Sequence, residues 1–559
     1  GNNAVLTLAV PGDTNSLGAN KAIIIDSATP IISAVTSTTA DGSYNAGDVI
    51  TITINFSELV YVSGTPQLTL ATGDTSTAVA EYSSGSGDTT LIFSYTIASG
   101  DNNNDLGYAS TSALALNSGT ILDGAGNPAI LTLAEPGAIK SLSISKSLII
   151  DTTNPIVSNV TEGSAVSTSG NDVDYQNFAD TLEISWSGSD GGSGISTYEY
   201  ALGTTSGGTE FLSWVSVDTA TAVTLAGLSL LTEGSTYYLS VRATDGAGNM
   251  SSVSTADGIT IDLTAPAGTT VSDGADDDIT YSGSDSTLSA NWATFTETVS
   301  GIHKYEYAIG TTYGGMEVLP WTNNDTVTSV TKTGLSLTNG FTYYVSVRAT
   351  DNAGNVANVV TSDGAIVDTA APTAGNVMDS TATDLDWTRS TSSLTATWTG
   401  FSEALSDIQK YDYAIGDTIG GTNVLSWTDN STTTSITKTG LTLTNGTTYY
   451  ISVRATDNVG NVSTVSTTDG ITIDTDGPVL ETPFEGSLTA DRDYQNIATR
   501  LIVSWSGSDT ASGIAMYEYA INFFFSGIPL SLVPWTSAET ATADTATGLS
   551  LVEGTTYYL

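Results

Sequence analysis

The segment LTEGSTYYLSVRA, residues 231–243, decides the fold class of this 559-residue chain. Its side chains alternate between apolar and polar, which is the period of a strand with one buried face. Tyr237, Leu239, Val241 and Ala243 fall on one face, which we predict to be core, and Tyr238, Ser240, Arg242 and Thr244 fall on the other. Similar segments recur between clusters of turn residues, and no long helical period interrupts them. The sequence therefore predicts an all-β protein of sandwich domains.

The phrase that follows this strand is repeated along the chain. VRATDGAGNM begins at Val241, VRATDNAGNV at Val347 and VRATDNVGNV at Val453, so consecutive copies lie 106 residues apart (347 − 241 and 453 − 347). This period is the size of one small β-sandwich. We expect a linear array of such domains.

A short Asp-to-Pro motif marks the predicted borders between domains. Proline keeps the residue before it extended, so these motifs are expected to be taut joints. The motifs are DSATP from Asp26, DTTNP from Asp151, DLTAP from Asp262, DTAAP from Asp368 and DTDGP from Asp474. The predicted domains are the C-terminal end of a preceding Ig-like domain at 1–26, an Ig-like domain at 27–151, and four repeats at 152–262, 263–368, 369–474 and 475–559, the last of them truncated.

Both ends of the chain match internal segments. Residues 1–26 match residues 126–151 at an offset of 125 (126 − 1), and the final EGTTYYL matches EGSTYYL at 233–239. We therefore expect the chain to be an internal piece of a longer repetitive protein.

The repeats resemble fibronectin type III modules. The resemblance rests on a tryptophan in the second strand and on a Leu-x-x-Gly-x-x-Tyr turn, which would be a tyrosine corner formed in the first copy by Leu231, Gly234 and Tyr237. The four tryptophans are Trp186, Trp292, Trp398 and Trp505. Residues 27–151, with AGDVITITINFSELV and TPQLTL, resemble the bacterial immunoglobulin-like repeats of giant surface adhesins. These resemblances imply an array of Ig-like and fibronectin type III-like β-sandwiches.

The composition argues against several function classes. The chain has 13 Lys and Arg against 59 Asp and Glu, a formal net charge of −46, so the basic patch that nucleic acid requires is not expected. It has no cysteine, which excludes disulfides and thiolate metal sites. His303 is the only histidine, so a Ser-His or Cys-His pair cannot recur from domain to domain, and we predict no catalytic activity.

Recurring aromatic and charged residues have two interpretations. Trp214, Trp321, Trp427 and Trp535, or Tyr175, Tyr281, Trp387 and Tyr494, could form a strip that stacks on sugars, but packing at the core or rim is favoured. On the outer face, Arg242 is expected beside Glu199, Arg348 beside Glu306 and Arg454 beside Asp412.

Acidic residues are expected to meet where the chain enters each domain. A joint aspartate, an acid from the loop after the tryptophan strand, and the Asp and Asn of the repeated phrase should all lie at that pole. Three like charges this close favour a cation, and calcium accepts many oxygen ligands in irregular loops. The predicted ligands are Asp26, Glu58, Asp123 and Asn127; Asp151, Asp190, Asp245 and Asn249; Asp262, Glu297, Asp351 and Asn355; Asp368, Glu403, Asp457 and Asn461; and Asp474 with Asp509. In the alternative interpretation, the Asp and Asn of the phrase only close a tight turn.

These features favour a non-catalytic rod, the extender region of a large bacterial adhesin at the cell surface or outside the cell, stiffened by calcium at its joints. Two alternatives stay open: a structural subunit packing laterally into a filament, sheath or surface layer, and spacer modules of a secreted polysaccharide-degrading enzyme. The expected partners are further repeats of the same polypeptide and neighbouring copies of the chain. Phe523, Phe524 and Phe525, in a turn that reads NFFFSG, are expected to make such a contact. The acidic surroundings argue against membrane insertion.

Overall fold

A computed structural model describes residues 7–73, 77–163, 172–228, 231–487 and 490–559 of the chain. Its regular structure is almost entirely β, and the two helices within these ranges, Leu17–Asn20 and Leu142–Ser145, each span four residues. No helix in this part of the chain is long and apolar enough to cross a bilayer. The all-β prediction is confirmed.

The chain divides into two compact units. The first contains residues 1–267, 295–304 and 349–358, and the second contains residues 268–294, 305–348 and 359–559. The division runs through the predicted domain 263–368, so that two of its strands, Ile302–Gly310 and Thr342–Asp351, have residues in both units. The predicted domain borders stay a prediction.

The first unit begins with two matching segments. The helix Leu17–Asn20 and the helix Leu142–Ser145 lie at corresponding positions of the segments 1–26 and 126–151. The strands between them are Ile32–Ser37, Gly42–Tyr44, Val49–Ser63, Gln67–Ala71, Thr77–Ser84, Asp88–Thr96, Gly107–Tyr108, Leu114–Ala115 and Thr120–Leu122, and Leu148–Ile150 follows the second helix. Val49–Ser63 is the central strand, because it pairs with Ile32–Ser37, Asp88–Thr96 and Thr120–Leu122. Ile50, Ile52 and Ile54 of this strand are fully buried in the core.

The first repeat is a sandwich of two sheets. One sheet has the order Ile156–Glu162, Thr181–Ser189, Ala222–Ala226. The other has the order Tyr175–Gln176, Ile259–Ile261, Thr236–Asp245, Ile195–Gly203, Leu212–Ser216, with Ser254–Thr255 also paired to Thr236–Asp245. Among the described strands of this sandwich, the pair Tyr175–Gln176 with Ile259–Ile261 is parallel and the other pairs are antiparallel. This is the strand order expected of a fibronectin type III-like module.

The second and third repeats copy this order strand for strand. In the second repeat the sheets are Val271–Asp273, Thr287–Trp292, Ser329–Thr333 and Tyr281–Ser282, Ala365–Val367, Thr342–Asp351, Ile302–Gly310, Leu319–Asn323, with Val360–Thr361. In the third they are Asn376–Met378, Ser393–Thr399, Ser435–Thr439 and Trp387–Thr388, Ile471–Ile473, Thr448–Asp457, Ile408–Gly416, Leu425–Asp429, with Ser466–Thr467. The fold is a tandem set of β-sandwiches.

The last repeat is less regular. Its sheets comprise Val479–Leu480 with Gly507–Ser508; Ala490–Asp491, Phe484–Ser487, Arg500–Ser504, Ala543–Thr547; and Ile528–Glu539, Tyr517–Phe525, Tyr557–Tyr558. Trp505, Tyr519 and Ile521 are buried in its core.

The predicted core faces are buried. Tyr237, Leu239, Val241 and Ala243 are at most 3% exposed, and the four tryptophans of the second strand are at most 5% exposed. The tyrosine corner is also present, since the Tyr237 hydroxyl accepts a hydrogen bond from the Thr232 amide at 3.2 Å. The hydroxyls of Tyr343, Tyr449 and Tyr557 accept the corresponding bonds at 2.8, 2.9 and 2.9 Å.

The outer face carries the predicted ion pairs together with a contact that sequence reasoning missed. Arg242 Nε donates to Glu199 at 2.8 Å, and its guanidinium lies 4.3 Å from the centroid of the Trp214 ring. Arg348 covers Trp321 and Arg454 covers Trp427 in the same way, at 4.4 Å each. A guanidinium over an indole face is a cation–π contact, so these rings pack on arginine and do not present a bare stacking strip.

The NFFFSG segment differs from its expected turn. The strand Tyr517–Phe525 continues through the three phenylalanines, and the turn is formed only by Ser526 and Gly527, both at positive φ. The hairpin is therefore lengthened while its turn stays tight. The rings of Phe523 and Phe524 pack on Tyr557 and Tyr558 at 5.6 and 5.3 Å, while Phe524 and Phe525 remain 52% and 69% exposed.

Candidate metal centres at the joints

The joint aspartate is held by the loop that follows the tryptophan strand Thr181–Ser189 of the next domain. Asp151 is buried, and its Oδ2 accepts hydrogen bonds from the Ser193 amide and hydroxyl, both at 2.7 Å. Its Oδ1 accepts from the Thr153 amide at 3.0 Å, which closes a turn within the joint itself. Gly192 permits this approach, because a Cβ there would lie 2.5 Å from the Asp151 carboxyl carbon.

The same arrangement recurs at three later joints. Oδ2 of Asp262, Asp368 and Asp474 accepts from the amides of Ser300, Ser406 and Ser512 at 3.2, 3.2 and 3.1 Å. These serines were assigned no role from the sequence, and their contact with the joint was missed. The recurring SG or SD pair after each acid was the pattern that could have identified them.

The asparagine of the repeated phrase connects the joint to the turn. Asn249 Nδ2 donates to the Asp151 carbonyl at 2.9 Å and to Asp245 Oδ2 at 2.7 Å. Asn355 and Asn461 donate in the same way to Asp262 and Asp368 and to their own aspartates, at 2.8 to 3.0 Å. Asn127 does so in the Ig-like domain, reaching Asp26 at 3.2 Å and Asp123 at 2.7 Å. Each asparagine is therefore a donor between two elements that are about a hundred residues apart in sequence.

The aspartate of the phrase closes the tight turn. Oδ1 of Asp245 accepts from the amides of Ala247 and Asn249 at 2.9 and 2.8 Å, and Gly248 has a φ of +93°. Asp123, Asp351 and Asp457 accept the equivalent bond from the asparagine amide at 2.8, 2.7 and 2.8 Å. The turn interpretation thus describes part of what this residue does, and it leaves room for metal ligation because each carboxylate oxygen has more than one lone pair.

Three of the predicted sets bring their carboxylates together. Each offers three oxygens within 4.8 Å of one another. The sets are Asp26, Glu58 and Asp123; Asp151, Asp190 and Asp245; and Asp262, Glu297 and Asp351. In the second set, Oδ1 of Asp190 is buried and has no hydrogen-bonding partner among the described residues. A buried carboxylate oxygen without a donor is costly unless a proton or a cation satisfies it.

In the last two predicted sets, hydrogen bonds link some of the residues to one another or to a shared loop. Asp368, Asp457 and Asn461 are linked by hydrogen bonds, and Glu403 lies in the loop whose Ser406 amide reaches Asp368. Asp474 and Asp509 lie around one loop, because the Ser512 amide donates to Asp474 at 3.1 Å and the Gly513 amide donates to Asp509 at 2.9 Å.

The pKa values of the joint acids are shifted in different directions. The pKa of Glu58 is raised by desolvation and by repulsion from Asp26 and Asp123. Burial alone would also raise the pKa of Asp151, but hydrogen bonds from Ser193 and Thr153 outweigh it and the pKa is lowered. For Asp123 and Asp474 the pKa is lowered by hydrogen bonds in the same way. Amide and hydroxyl donors therefore stabilise the charged form of these three residues without a metal.

The donor set suits a hard divalent cation. It consists of carboxylate oxygens on loops with irregular backbone, which matches the preference of calcium for many oxygen ligands in adaptable geometry. The described residues hold Asp151, Asp262 and Asp368 at 1%, 0% and 0% exposure, so a cation there would be largely shielded from water.

Comparison with known proteins gives partial matches. No protein-family model matches the chain. The chain is 30% identical over 350 residues to Exoglucanase B of Cellulomonas fimi, covering 59% of this chain and 28% of that protein. It is 32% identical over 381 residues to Endoglucanase B of Cellulomonas fimi, covering 66% and 32%, and 29% identical over 197 residues to Chitinase A1 of Niallia circulans, covering 35% and 24%. The chain thus spans about a quarter to a third of the length of these relatives.

Two solved structures are similar to parts of the chain. The FN1-FN3 domains of chicken CNTN1 match at 18% identity with a TM-score of 0.24, covering 54% of this chain and 96% of that one. The fibronectin(III)-like modules of Clostridium thermocellum CbhA match at 14% identity with a TM-score of 0.22, covering 36% and 94%. The fold assignment itself rests on the strand order described above.

Proposed function

We propose that the chain is a non-catalytic spacer of Ig-like and fibronectin type III-like modules in an extracellular polysaccharide-degrading protein. The observation that carries this proposal is the set of relatives: two glucanases and a chitinase match this chain over a quarter to a third of their own length. The aligned length in this chain must fall largely on sandwich repeats, because these occupy most of the described residues. We therefore prefer the spacer of a polysaccharide-degrading enzyme to the rod of an adhesin.

The repetition of the acidic clusters supports a structural role. Carboxylate sets recur at the same place in successive domains and are bound into the joints by serine amides and asparagine side chains. A catalytic centre is built once per enzyme domain and lies in a cleft that holds the substrate. A device that recurs at every joint is better suited to fixing one module against the next.

We further propose that calcium occupies the joints. A cation among the three carboxylates would add ligand bonds between the joint and two loops of the following domain, on top of the hydrogen bonds already there. Loss of the ion would leave those hydrogen bonds to hold the joint alone, so the joint would loosen without unfolding either domain.

A second candidate function is the stalk of a surface adhesin. The specific observation in its favour is the Ig-like domain of residues 27–151, whose joint carries the same Asp, Glu and Asn arrangement as the fibronectin-like repeats. Both functions use the modules as spacers, and they differ in the domains that the spacer separates.

Two measurements test the proposal. The purified chain, incubated with soluble glucan and with chitin oligomers, should release no reducing ends above buffer; release proportional to chain concentration would contradict a non-catalytic role. Sequencing the complete polypeptide distinguishes the two candidates. A glycan-hydrolysing domain in the same polypeptide supports the enzyme spacer, and its absence beside receptor-binding domains supports the adhesin stalk.

A further inference from the structure

A second acidic cluster occurs in each of the first three repeats, away from the joints. In the first repeat it consists of Glu162, Asp172 and Asp257, and in the second of Asp273, Asp278 and Asp363, each set with carboxylate oxygens within 4.8 Å of one another. Glu162 ends the first strand of its repeat, which starts at Ile156, so the cluster lies roughly 20 Å along that strand from the joint end. These sites are distinct from the joint sites.

The backbone around the cluster is the same in every copy. The last strand of the repeat breaks between Ser254–Thr255 and Ile259–Ile261, and Asp257 and Gly258 occupy the break. Gly258 has a φ of +107°, and a Cβ there would lie 2.7 Å from the Tyr238 ring. Gly364 and Gly470 repeat both features, with φ values of +99° and +105° and contacts of 2.7 and 2.6 Å. Only glycine fits this position, and it sets the preceding aspartate against the end of the first strand.

The hydrogen bonds hold two of the three acids together. The backbone amide of Glu162 donates to Asp172 at 2.9 Å, and the amides of Asp273 and Asp379 donate to Asp278 and Asp384 at 2.9 and 3.0 Å. The Gly364 amide donates to Asp273 at 2.9 Å, and the Gly470 amide donates to Asp379 at 3.2 Å. These bonds place the third copy, Asp379, Asp384 and Asp469, in the same arrangement as the first two.

The decisive observation is a buried carboxylate without a partner. Glu162 is 1% exposed, and neither of its carboxylate oxygens accepts a hydrogen bond of standard geometry among the described residues. The Gly258 amide lies near enough to lower the pKa of Glu162, but burial and the neighbouring acids outweigh it. Asp379 is 2% exposed, and its Oδ1 is buried and likewise unpartnered within the described ranges. An ionised carboxylate in such a place is strongly destabilising unless a cation neutralises it. Repulsion from the neighbouring acids adds to burial in raising the pKa of Glu162 to about 8 and that of Asp379 to about 7.

We propose that each of these clusters is a second divalent-cation site, of the calcium class. Its ligands are the acid at the end of the first strand, the acid of the next loop, and the aspartate that precedes the recurring glycine at positive φ. The two exposed acids, Asp172 and Asp257 in the first copy, leave one side open to water for the remaining ligands of the ion. Asp379 also borders an open groove lined by Ser380, Thr381 and Ser390, which gives an ion a polar approach. The alternative occupant of an unpartnered carboxylate is a proton, and the experiment below separates the two.

The test counts calcium ions on the full chain. Native mass spectrometry and calorimetric titration with calcium alone should give about three fewer bound ions for the combined variant Asp257→Asn, Asp363→Asn, Asp469→Asn than for the unaltered chain, one for each cluster. These aspartates are exposed, so the folds should be retained, which circular dichroism checks. The matched control is Asp218→Asn, Asp285→Asn, Asp417→Asn, one exposed acid in each of the same repeats, and it should lose none.

An unchanged ion count in the cluster variant would overturn the proposal in favour of a proton-filled site. An equal loss in the control variant would also overturn it, because the ions would then be diffuse counterions of a chain with net charge −46. If the triple variant fails to fold, Asp257→Asn alone should remove about one ion, and retention of that ion would overturn the proposal. Neither result bears on whether the chain is a spacer, which the hydrolysis assay decides.

Discussion

Asn355 donates a side-chain hydrogen bond to the backbone carbonyl of Asp262, 93 residues earlier, at 2.8 Å. The same amide group donates to Asp351 Oδ2 at 2.9 Å. One side chain therefore ties a joint to the turn of the domain that follows it. This connection needs no metal, so it sets the stability of the joint in calcium-free conditions.

Replacing Asn355 with Ala should lower the free energy of unfolding by about 1–3 kcal/mol in calcium and in chelator alike, because two hydrogen bonds are lost and the Asp262 carbonyl loses a donor. Chemical denaturation in both conditions measures this. Asn358→Ala, an exposed residue of the same segment, is the matched control and should have little effect. A loss confined to calcium would show that Asn355 acts through the metal.

Asp351→Asn should separate the two roles of the aspartate. The amide oxygen of asparagine still accepts the hydrogen bond from the Asn355 backbone amide, which is 2.7 Å long in the unaltered chain, so the turn is kept. The bond from the Asn355 side chain to Oδ2 is lost, which lowers stability equally in calcium and in chelator. The charge is lost, so we expect the melting temperature to rise less on calcium addition than it does for the unaltered chain. Asp351→Ala should have a lower melting temperature than Asp351→Asn both with and without calcium. If Asp351→Asn gains as much stability from calcium as the unaltered chain, the joint carboxylate is only a turn residue.

The second clusters predict an unusual pH dependence. Burial and the nearby acids raise the pKa of Glu162 from 4.5 to about 8, so between these values the folded chain holds a proton that the unfolded chain has lost. The proton on Glu162 therefore stabilises the folded, calcium-free chain. This contribution to the free energy of unfolding is fully present below about pH 4.5 and is lost as the pH rises through about 8. Calcium at about pH 8.5 should restore it, because the cation takes the place of the proton.

Calorimetry of the dialysed, calcium-free chain at low and high pH measures this term. Glu162→Gln provides the reference, because it removes the titrating group while the general repulsion of the acidic chain remains. The difference between the unaltered chain and Glu162→Gln should grow with pH. If the difference in the free energy of unfolding between the two chains does not change with pH, ionising Glu162 does not destabilise the fold and the prediction is wrong.

The lengthened hairpin of the last repeat assigns different roles to its phenylalanines. Phe523 packs on Tyr557, so Phe523→Ser should destabilise its repeat by about 1–3 kcal/mol. Phe524 and Phe525 are more than half exposed, and among the described residues only Phe524 of these two has a ring contact, with Tyr558 at 5.3 Å. Replacing both with Ser should therefore lower the melting temperature less than Phe523→Ser does and reduce self-association in sedimentation velocity. Unfolding of the repeat by the double replacement would place those two rings in the core instead.

The strands could be predicted from the sequence, but only some of the acidic clusters could. Alternation in residues 231–243 predicts which side chains are buried, because a strand has one dominant period. The joint acids were found because they share fixed offsets from the repeated phrase. Glu162 and Asp273 were missed, although Asp273 and Asp379 lie one repeat period apart (379 − 273 = 106), because nothing in the sequence shows that these acids are buried. Their importance depends on burial, which only the packed fold creates.

Other contacts were missed for a related reason. The stacking of Arg242 on Trp214 depends on two strands lying side by side, and the ion pair with Glu199 was predicted without it. The length of the Phe523 hairpin depends on strand pairing that outcompetes a longer turn, although the extra residues were visible as a departure from the other copies.

Small-angle X-ray scattering of the full chain in millimolar calcium and in chelator tests most directly the central claim, that calcium at the joints fixes neighbouring modules. We predict a larger maximum dimension in calcium than in chelator, because joints without the ion are flexible and let the modules fold back on one another. The variant Asp245→Asn, Asp351→Asn, Asp457→Asn alters three of the five predicted joint sites, so it should lose most of the difference between the two conditions. Identical profiles for the unaltered chain with and without calcium would contradict the account.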